Sequence, residues 1–231
     1  MRVLLVAQDE ILIQNMRGAL RRADISLETA DDGQDGIELA RHYDYDVVVL
    51  DAVLPDMKGA DAIRRLRKAG IQTPVLALTQ QAAECKVEAL NAGADDCMAR
   101  PFHPDEMIGR VRALVRRSRG YANPSVTIGG ITLDLSSKTV EAQGKRVQLT
   151  EMEYQIFELL LLRKGVTVSR ETFISHLYGD EDGPESRTIE LFVCKLRKKL
   201  ADATGGEQFI ETIRQQGYLL RYTPAKVAVA A

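Results

Sequence analysis

The chain has 231 residues, 45% of them hydrophobic and 28% charged, with a formal net charge of -2. This length suits two domains, and the absence of a long apolar run or leader-like start points to a cytoplasmic protein with no membrane partner. Three scattered cysteines, Cys85, Cys97 and Cys194, argue against a disulfide framework or zinc site, and with a net charge of -3 over residues 1–117 and +1 beyond, nucleic-acid binding has to come from a local patch.

Val3, Leu4, Leu5 and Val6 form a short apolar run, and Ile11, Met16 and Leu20 recur after it at helical spacing. Residues 27–30 predict a second strand, and 36–40 begin a second amphipathic helix. The stretch Asp46-Val47-Val48-Val49-Leu50-Asp51 predicts a strand buried on both faces, as in a parallel sheet covered by helices. Ile63 and Leu66 sit on the next helix, with Arg64, Arg65, Arg67 and Lys68 on its wet side. Residues 74–78 predict a fourth strand ending at Thr79, and Val87 and Leu90 mark the helix that follows. A fifth strand, 97–99, ends at Arg100 and Pro101, and Pro104 suits the first turn of a last helix through Met107, Val111 and Leu114. Five alternations of strand and helix predict an α/β fold, a doubly wound (βα)5 parallel sheet over residues 1–117.

Ligands of such sheets lie beyond the carboxyl ends of the strands. The strand ends here carry Asp9, Asp51, Thr79 and Arg100, two carboxylates, a hydroxyl and a cation converging at one edge. Alone, Asp51 reads equally well as a residue that merely ends its strand. Together with the VVVLDAVLPDM segment, Leu78-Thr79, the GADD run at 93–96 and Arg100-Pro101-Phe102, the first half resembles the receiver domain of two-component response regulators.

The resemblance implies phosphoryl transfer from a histidine kinase or phosphotransferase to Asp51. A carboxylate attacking a phosphoryl group needs a hard divalent cation to neutralise the crowded oxygens. The family supplies two acidic residues after the first strand, a Thr or Ser after the fourth, and an aromatic switch and a lysine on the fifth. Asp51 and Thr79 match. The acidic pair is replaced by Ala7 and Gln8, the aromatic switch by Cys97, and the lysine by Arg100, which keeps the charge but not the compact ammonium. Asp9 reads as a helix N-cap and, with Asp51, as what is left of the metal site. The expectation is weak Mg²⁺ binding at most, no other cofactor, no enzymatic activity, and little or no phosphorylation of Asp51. In the alternative, Asp9 and Glu10 serve as the acidic pair and the chain is a conventional phosphorelay switch.

Residues 118–125, with Gly120 and Pro124, read as a linker. Residues 126–128, 131–135, 139–142 and 146–148 predict short strands, and Thr150-Glu151-Met152-Glu153 a capped helix start. Tyr154, Ile156, Phe157, Leu160 and Leu161 make that helix strongly apolar. Val168 and Ser169 open another, burying Phe173, Ile174 and Leu177. After the acidic loop 179–185 comes a basic helix, 186–200, with Ile189, Val193, Leu196 and Leu200 on one stripe. A basic helix is ordinarily just a solvated surface. The hairpin predicted over 209–220 changes that reading, because residues 126–222 then resemble the α+β winged helix-turn-helix of OmpR-type regulators, whose third helix enters the major groove.

By this resemblance Arg187, Thr188 and Lys195 would reach bases or phosphates, Arg197 and Lys198 phosphates, and Arg214 would be the wing cation. The wing usually has a glycine where Gln215 stands. Tyr43-Asp44-Tyr45-Asp46, Leu162-Arg163-Lys164-Gly165, His176-Leu177-Tyr178-Gly179 and residues 192–200 narrow the likeness to the cell-cycle transcription regulators of alphaproteobacteria. It implies double-stranded DNA with AT-rich, tandem TTAA half-sites, RNA polymerase, and a homodimer pairing Lys86 with Glu106 and Asp96 with Arg110 across two copies. The tail 223–231 is expected to be disordered, and Ala230-Ala231 resembles the terminal pair that delivers such regulators to the ClpXP protease. Two rival readings are a winged helix that binds polymerase without reading DNA and redox sensing through Cys97 or Cys194.

Overall fold

The computed structural model describes residues 1–178 and 187–221. The chain divides into two compact units between Gly120 and Tyr121. In the first, β1 (Arg2–Val6), β2 (Ser26–Ala30), β3 (Val47–Asp51), β4 (Val75–Thr79) and β5 (Asp96–Ala99) form a parallel sheet in the order β2-β1-β3-β4-β5. It alternates with α1 (Glu10–Arg22), α2 (Gly33–His42), α3 (Gly59–Lys68), α4 (Ala83–Ala92) and α5 (Pro104–Ser118). Val47 to Leu50 are buried on both faces, as three valines and a leucine in a central strand require.

The loop after β3 is held from two sides. The Gly59 N–H donates to the Ala52 carbonyl at 2.8 Å, and a Cβ at this position would collide with the backbone carbonyl of Asp51. The Asp56 carboxylate accepts the Gly33 and Gln34 N–H groups at the start of α2, at 2.8 and 3.0 Å.

Two helices differ in facing from the spacing argument. Ile11 is 76% exposed, because the buried stripe of α1 runs through Leu12, Ile13, Met16 and Leu20. On α4 the small Ala89 and Ala92 pack inward, leaving Val87 and Leu90 at 55% and 48% exposure.

The second unit opens with an antiparallel sheet of β6 (Ser125–Ile128), β7 (Ile131–Asp134), β8 (Thr139–Ala142) and β9 (Lys145–Arg146). Then follow α6 (Glu151–Leu162), α7 (Arg170–Tyr178), α8 (Arg187–Thr204) and the hairpin β10 (Ile210–Ile213) and β11 (Gly217–Leu220). The irregular stretch between the units is 119–124, one residue shorter at each end than the linker expected, because α5 continues to Ser118 and β6 starts at Ser125. Thr150 and Glu153 form a reciprocal capping box on α6. Val168 does not open α7 as expected. It pairs with Tyr218 of the hairpin, and Ser169 caps the helix by accepting the Thr172 N–H. Gly217, at φ 137°, lies so close to the Val168 carbonyl that no Cβ fits. Among the described residues no helix is long and apolar enough to cross a membrane.

Candidate functional site

Asp51 ends β3 with its side chain only 14% exposed. Arg100, just past β5, reaches across the sheet edge between two carboxylates. Its Nη2 lies 3.2 Å from Asp51 Oδ2 and its Nη1 3.4 Å from Asp9 Oδ2. The first contact is a charge pair without hydrogen-bond alignment. Burial pushes the Asp51 carboxyl above the usual carboxylate range, with help from the negative charge of Asp9; Arg100 and the N–H groups of Ala52 and Val53 pull the other way.

Thr79 lies beside this pair, its side chain buried and its hydroxyl without a hydrogen-bond partner among the described residues. Its carbonyl accepts the Arg100 N–H at 2.9 Å, fixing where that side chain begins. Asp9 caps α1, accepting the Leu12 N–H at 3.1 Å. Ala7 is buried and Gln8 exposed. No cluster of three or more His, Cys, Asp or Glu with metal-holding geometry occurs among the described residues.

On α8, Ile189, Val193, Leu196 and Leu200 are buried. The opposite face is a continuous stripe of Thr188, Leu191, Cys194, Lys195 and Lys198, with Leu191 63% exposed. Two other cations of α8 are turned into the fold. Arg197 donates from Nε to the Ile210 carbonyl at 3.0 Å and from Nη2 to Thr212 Oγ1 at 2.8 Å, with its guanidinium 5.7 Å from the Tyr218 ring centroid. Lys199 Nζ donates to Glu153 Oε2 at 2.6 Å and to the Gln148 carbonyl at 2.9 Å.

Residues 3–112 match the family model "Response regulator receiver domain", and residues 144–220 match "Transcriptional regulatory protein, C terminal". The cell cycle response regulator CtrA of Brucella anthropi is 46% identical over 232 residues, covering 100% of both chains. CtrA of Brucella suis biovar 1 is equally similar, at 46% over the same span. The chain belongs to the CtrA family of response regulators. Among solved structures, the OmpR/PhoB homologue DrrB of Thermotoga maritima is 27% identical, over 95% of this chain and 98% of that one, with a TM-score of 0.45.

Like other CtrA-type regulators, then, the chain couples a receiver to a DNA-binding effector domain, and its sequence-predicted residues can be placed in that frame. Asp9, Asp51, Thr79 and Arg100 meet at one edge. Arg197, expected on phosphate, braces α8 against the hairpin, because the Ile210 carbonyl and Thr212 hydroxyl match its fork. Lys195 and Lys198 face outward, and Arg214 is exposed in the hairpin turn. Gln215 takes the left-handed conformation there, φ 59°, filling the backbone role expected of a glycine. The Arg187 side chain, the acidic loop 179–185, the tail 223–231 and Ala230-Ala231 lie outside the described residues.

Cys97 is half-buried, with Sγ 3.6 Å from the Lys86 carbonyl oxygen. Burial, and secondarily Asp96, push its thiol up, which disfavours the thiolate. Asp96 and Arg110 pair within the chain at 2.9 Å, and Arg110 also holds Glu106 at 2.8 Å. The charges expected to pair between copies are therefore partly met inside one chain, since i,i+4 spacing on α5 brings Glu106 to Arg110. The sequence reading missed Leu191 and Cys194 on α8. The signal is their helical spacing from Thr188, Lys195 and Lys198, an apolar one within a charged run.

Proposed function

We propose that this chain is a transcription regulator that reads AT-rich, tandem TTAA half-sites as a dimer, with little or no dependence on phosphorylation of Asp51. One observation supports the proposal: Arg100 lies between Asp51 and Asp9, 3.2 and 3.4 Å from the two carboxylates that a divalent cation would need. Those two carboxylates fit Mg²⁺ poorly, because the guanidinium already holds both and repels a second cation. Ala7 has no ligating side chain, and the Gln8 amide oxygen is neutral, so neither restores the charge of the missing carboxylates. Without that cation an incoming phosphoryl group meets a half-buried carboxylate with no countercharge for its oxygens except Arg100 itself.

In this reading the receiver serves dimerisation or partner docking. The α4–β5–α5 face supports it: Val87 and Leu90 are exposed beside Lys86, and Asp96, Glu106 and Arg110 lie on the same face. Asp96 and Arg110 can exchange partners between copies at little cost, since exposed ion pairs are worth about 0–1 kcal/mol. In the effector unit, Arg187, Thr188 and Lys195 would meet bases or phosphates, Lys198 phosphates, and Arg214 the backbone beside the hairpin. Leu191 and Cys194 would lie against thymine methyl groups, which suits an AT-rich site. RNA polymerase, a histidine kinase or phosphotransferase, and ClpXP acting through Ala230-Ala231 complete the proposed partners, in the cytoplasm.

Incubation of the full chain with radiolabelled acetyl phosphate and Mg²⁺ tests this. We expect no acid-stable, base-labile label on Asp51, and its appearance in the triple variant Ala7→Asp/Gln8→Asp/Arg100→Lys. Stoichiometric labelling of the unmodified chain would contradict the proposal.

A further inference from the structure

Between one side of α2 and the last turn of α3 lies an open hollow of about 390 Å³, lined by Gln34, Ile37, Arg41, Arg65, Lys68 and Ala69. Its floor is the buried Ile37, and the exposed Ala69 adds a methyl group at the edge. Its rim is cationic. The side chains of Arg41, Arg65 and Lys68 make no hydrogen bond or ion pair among the described residues, and no acidic side chain lines the hollow.

The nearby carboxylates are spent elsewhere. Asp61 pairs with Arg64 at 2.6 Å, and Glu38 takes the Gln34 amide at 3.0 Å. Asp56, which feels the charge of Arg65, uses both oxygens on the Gly33 and Gln34 N–H groups. A cation in the last turn of a helix is favoured by the helix dipole alone. That accounts for each of these residues singly, but not for three of them, from two helices, meeting around one concavity in a receiver of net negative charge.

We propose that this hollow is an anion site for a small molecule carrying two adjacent phosphates on a flat or apolar body, the chemistry of a nucleoside diphosphate. The guanidinium forks of Arg41 and Arg65 suit phosphate oxygens, the Lys68 ammonium adds a point charge, and Ile37 and Ala69 offer a dry face. The hollow is open, and its volume is near the lower end of the range of small-ligand sites. A compact hollow favours this occupant over a nucleic-acid backbone, which needs cations spread along a track. The site does not depend on the reading of Asp51.

Calorimetric titration of the full chain with adenosine 5′-diphosphate and with inorganic pyrophosphate, without divalent cations and at fixed ionic strength, tests it. Saturable one-to-one binding is expected, weakened at least about tenfold in Arg65→Ala/Lys68→Ala and unchanged in Lys195→Ala/Lys198→Ala. If the first variant folds poorly, Arg41→Gln on the other helix gives the same reading. Tighter binding of the nucleotide supports a role for the apolar floor, and equal binding supports a site built for the phosphates. No saturable binding, or a loss confined to the Lys195→Ala/Lys198→Ala variant, would overturn the proposal. So would binding of polyglutamate in place of both phosphate compounds, which would mark an acidic-protein surface instead.

Discussion

At the edge of the receiver sheet the cation is turned toward its carboxylates, Arg100 onto Asp9 and Asp51, whereas α8 divides its cations between the fold and the water. Arg197 and Lys199 brace the second unit; Lys195 and Lys198 are left outside. The same residue types in similar runs thus do different work, and what separates them is whether an acceptor lies within reach. A cation on a basic helix is free to meet a ligand only where its neighbours have left it unpaired.

The largest effect that would break this comparison lies at Glu153. Its buried carboxylate holds Lys199 and the Thr150 N–H. Replacing it by Gln should destabilise the second unit by about 1–3 kcal/mol at neutral pH, through a weakened cap and an unpaired ammonium. Its folded pKa is lowered: burial raises it, but the hydrogen bonds from Lys199 and Thr150 outweigh that. Its stabilisation is therefore present above the ordinary carboxylate pKa and is lost as pH falls through the depressed folded value. Thermal melts of Glu153→Gln and the unmodified chain should converge in acid. A constant gap at all pH values would contradict the assignment.

Arg197→Ala and Lys198→Ala sharpen the contrast at smaller magnitude. The first should cost about 1–2 kcal/mol of stability and leave the salt dependence of DNA binding unchanged. The second should change stability by less than about 0.5 kcal/mol and lower the salt slope by about one. Reversed results would mean that Arg197 reaches phosphate. The effect confined to one base contact is at Leu191. Leu191→Ala should cost about 1 kcal/mol of affinity on a thymine-containing half-site and much less on its uracil counterpart, which lacks the methyl group.

Much of this was legible beforehand for physical reasons. The buried run 47–50 and the Thr150–Glu153 cap announce their elements locally, as burial and capping are short-range properties. The convergence of Asp9, Asp51, Thr79 and Arg100 followed from strand ends alone. What stayed hidden depends on partners distant in sequence. Nothing local distinguishes Arg197 from Lys198, because the deciding acceptors are Ile210 and Thr212. The outward turn of Val87 and Leu90 is set by Ala89 and Ala92 packing inward, and the in-chain pairing of Asp96 with Arg110 by strand β5 lying against α5.

The central claim, a receiver in which Arg100 stands in the metal's place, is tested most directly by the affinity of the full chain for a TTAA-containing duplex with and without acetyl phosphate and Mg²⁺. We expect one affinity under both conditions, shared by Asp51→Ala. A tightening of about tenfold, about 1.4 kcal/mol, that disappears in Asp51→Ala would show that the phosphoryl switch still works and would contradict the account.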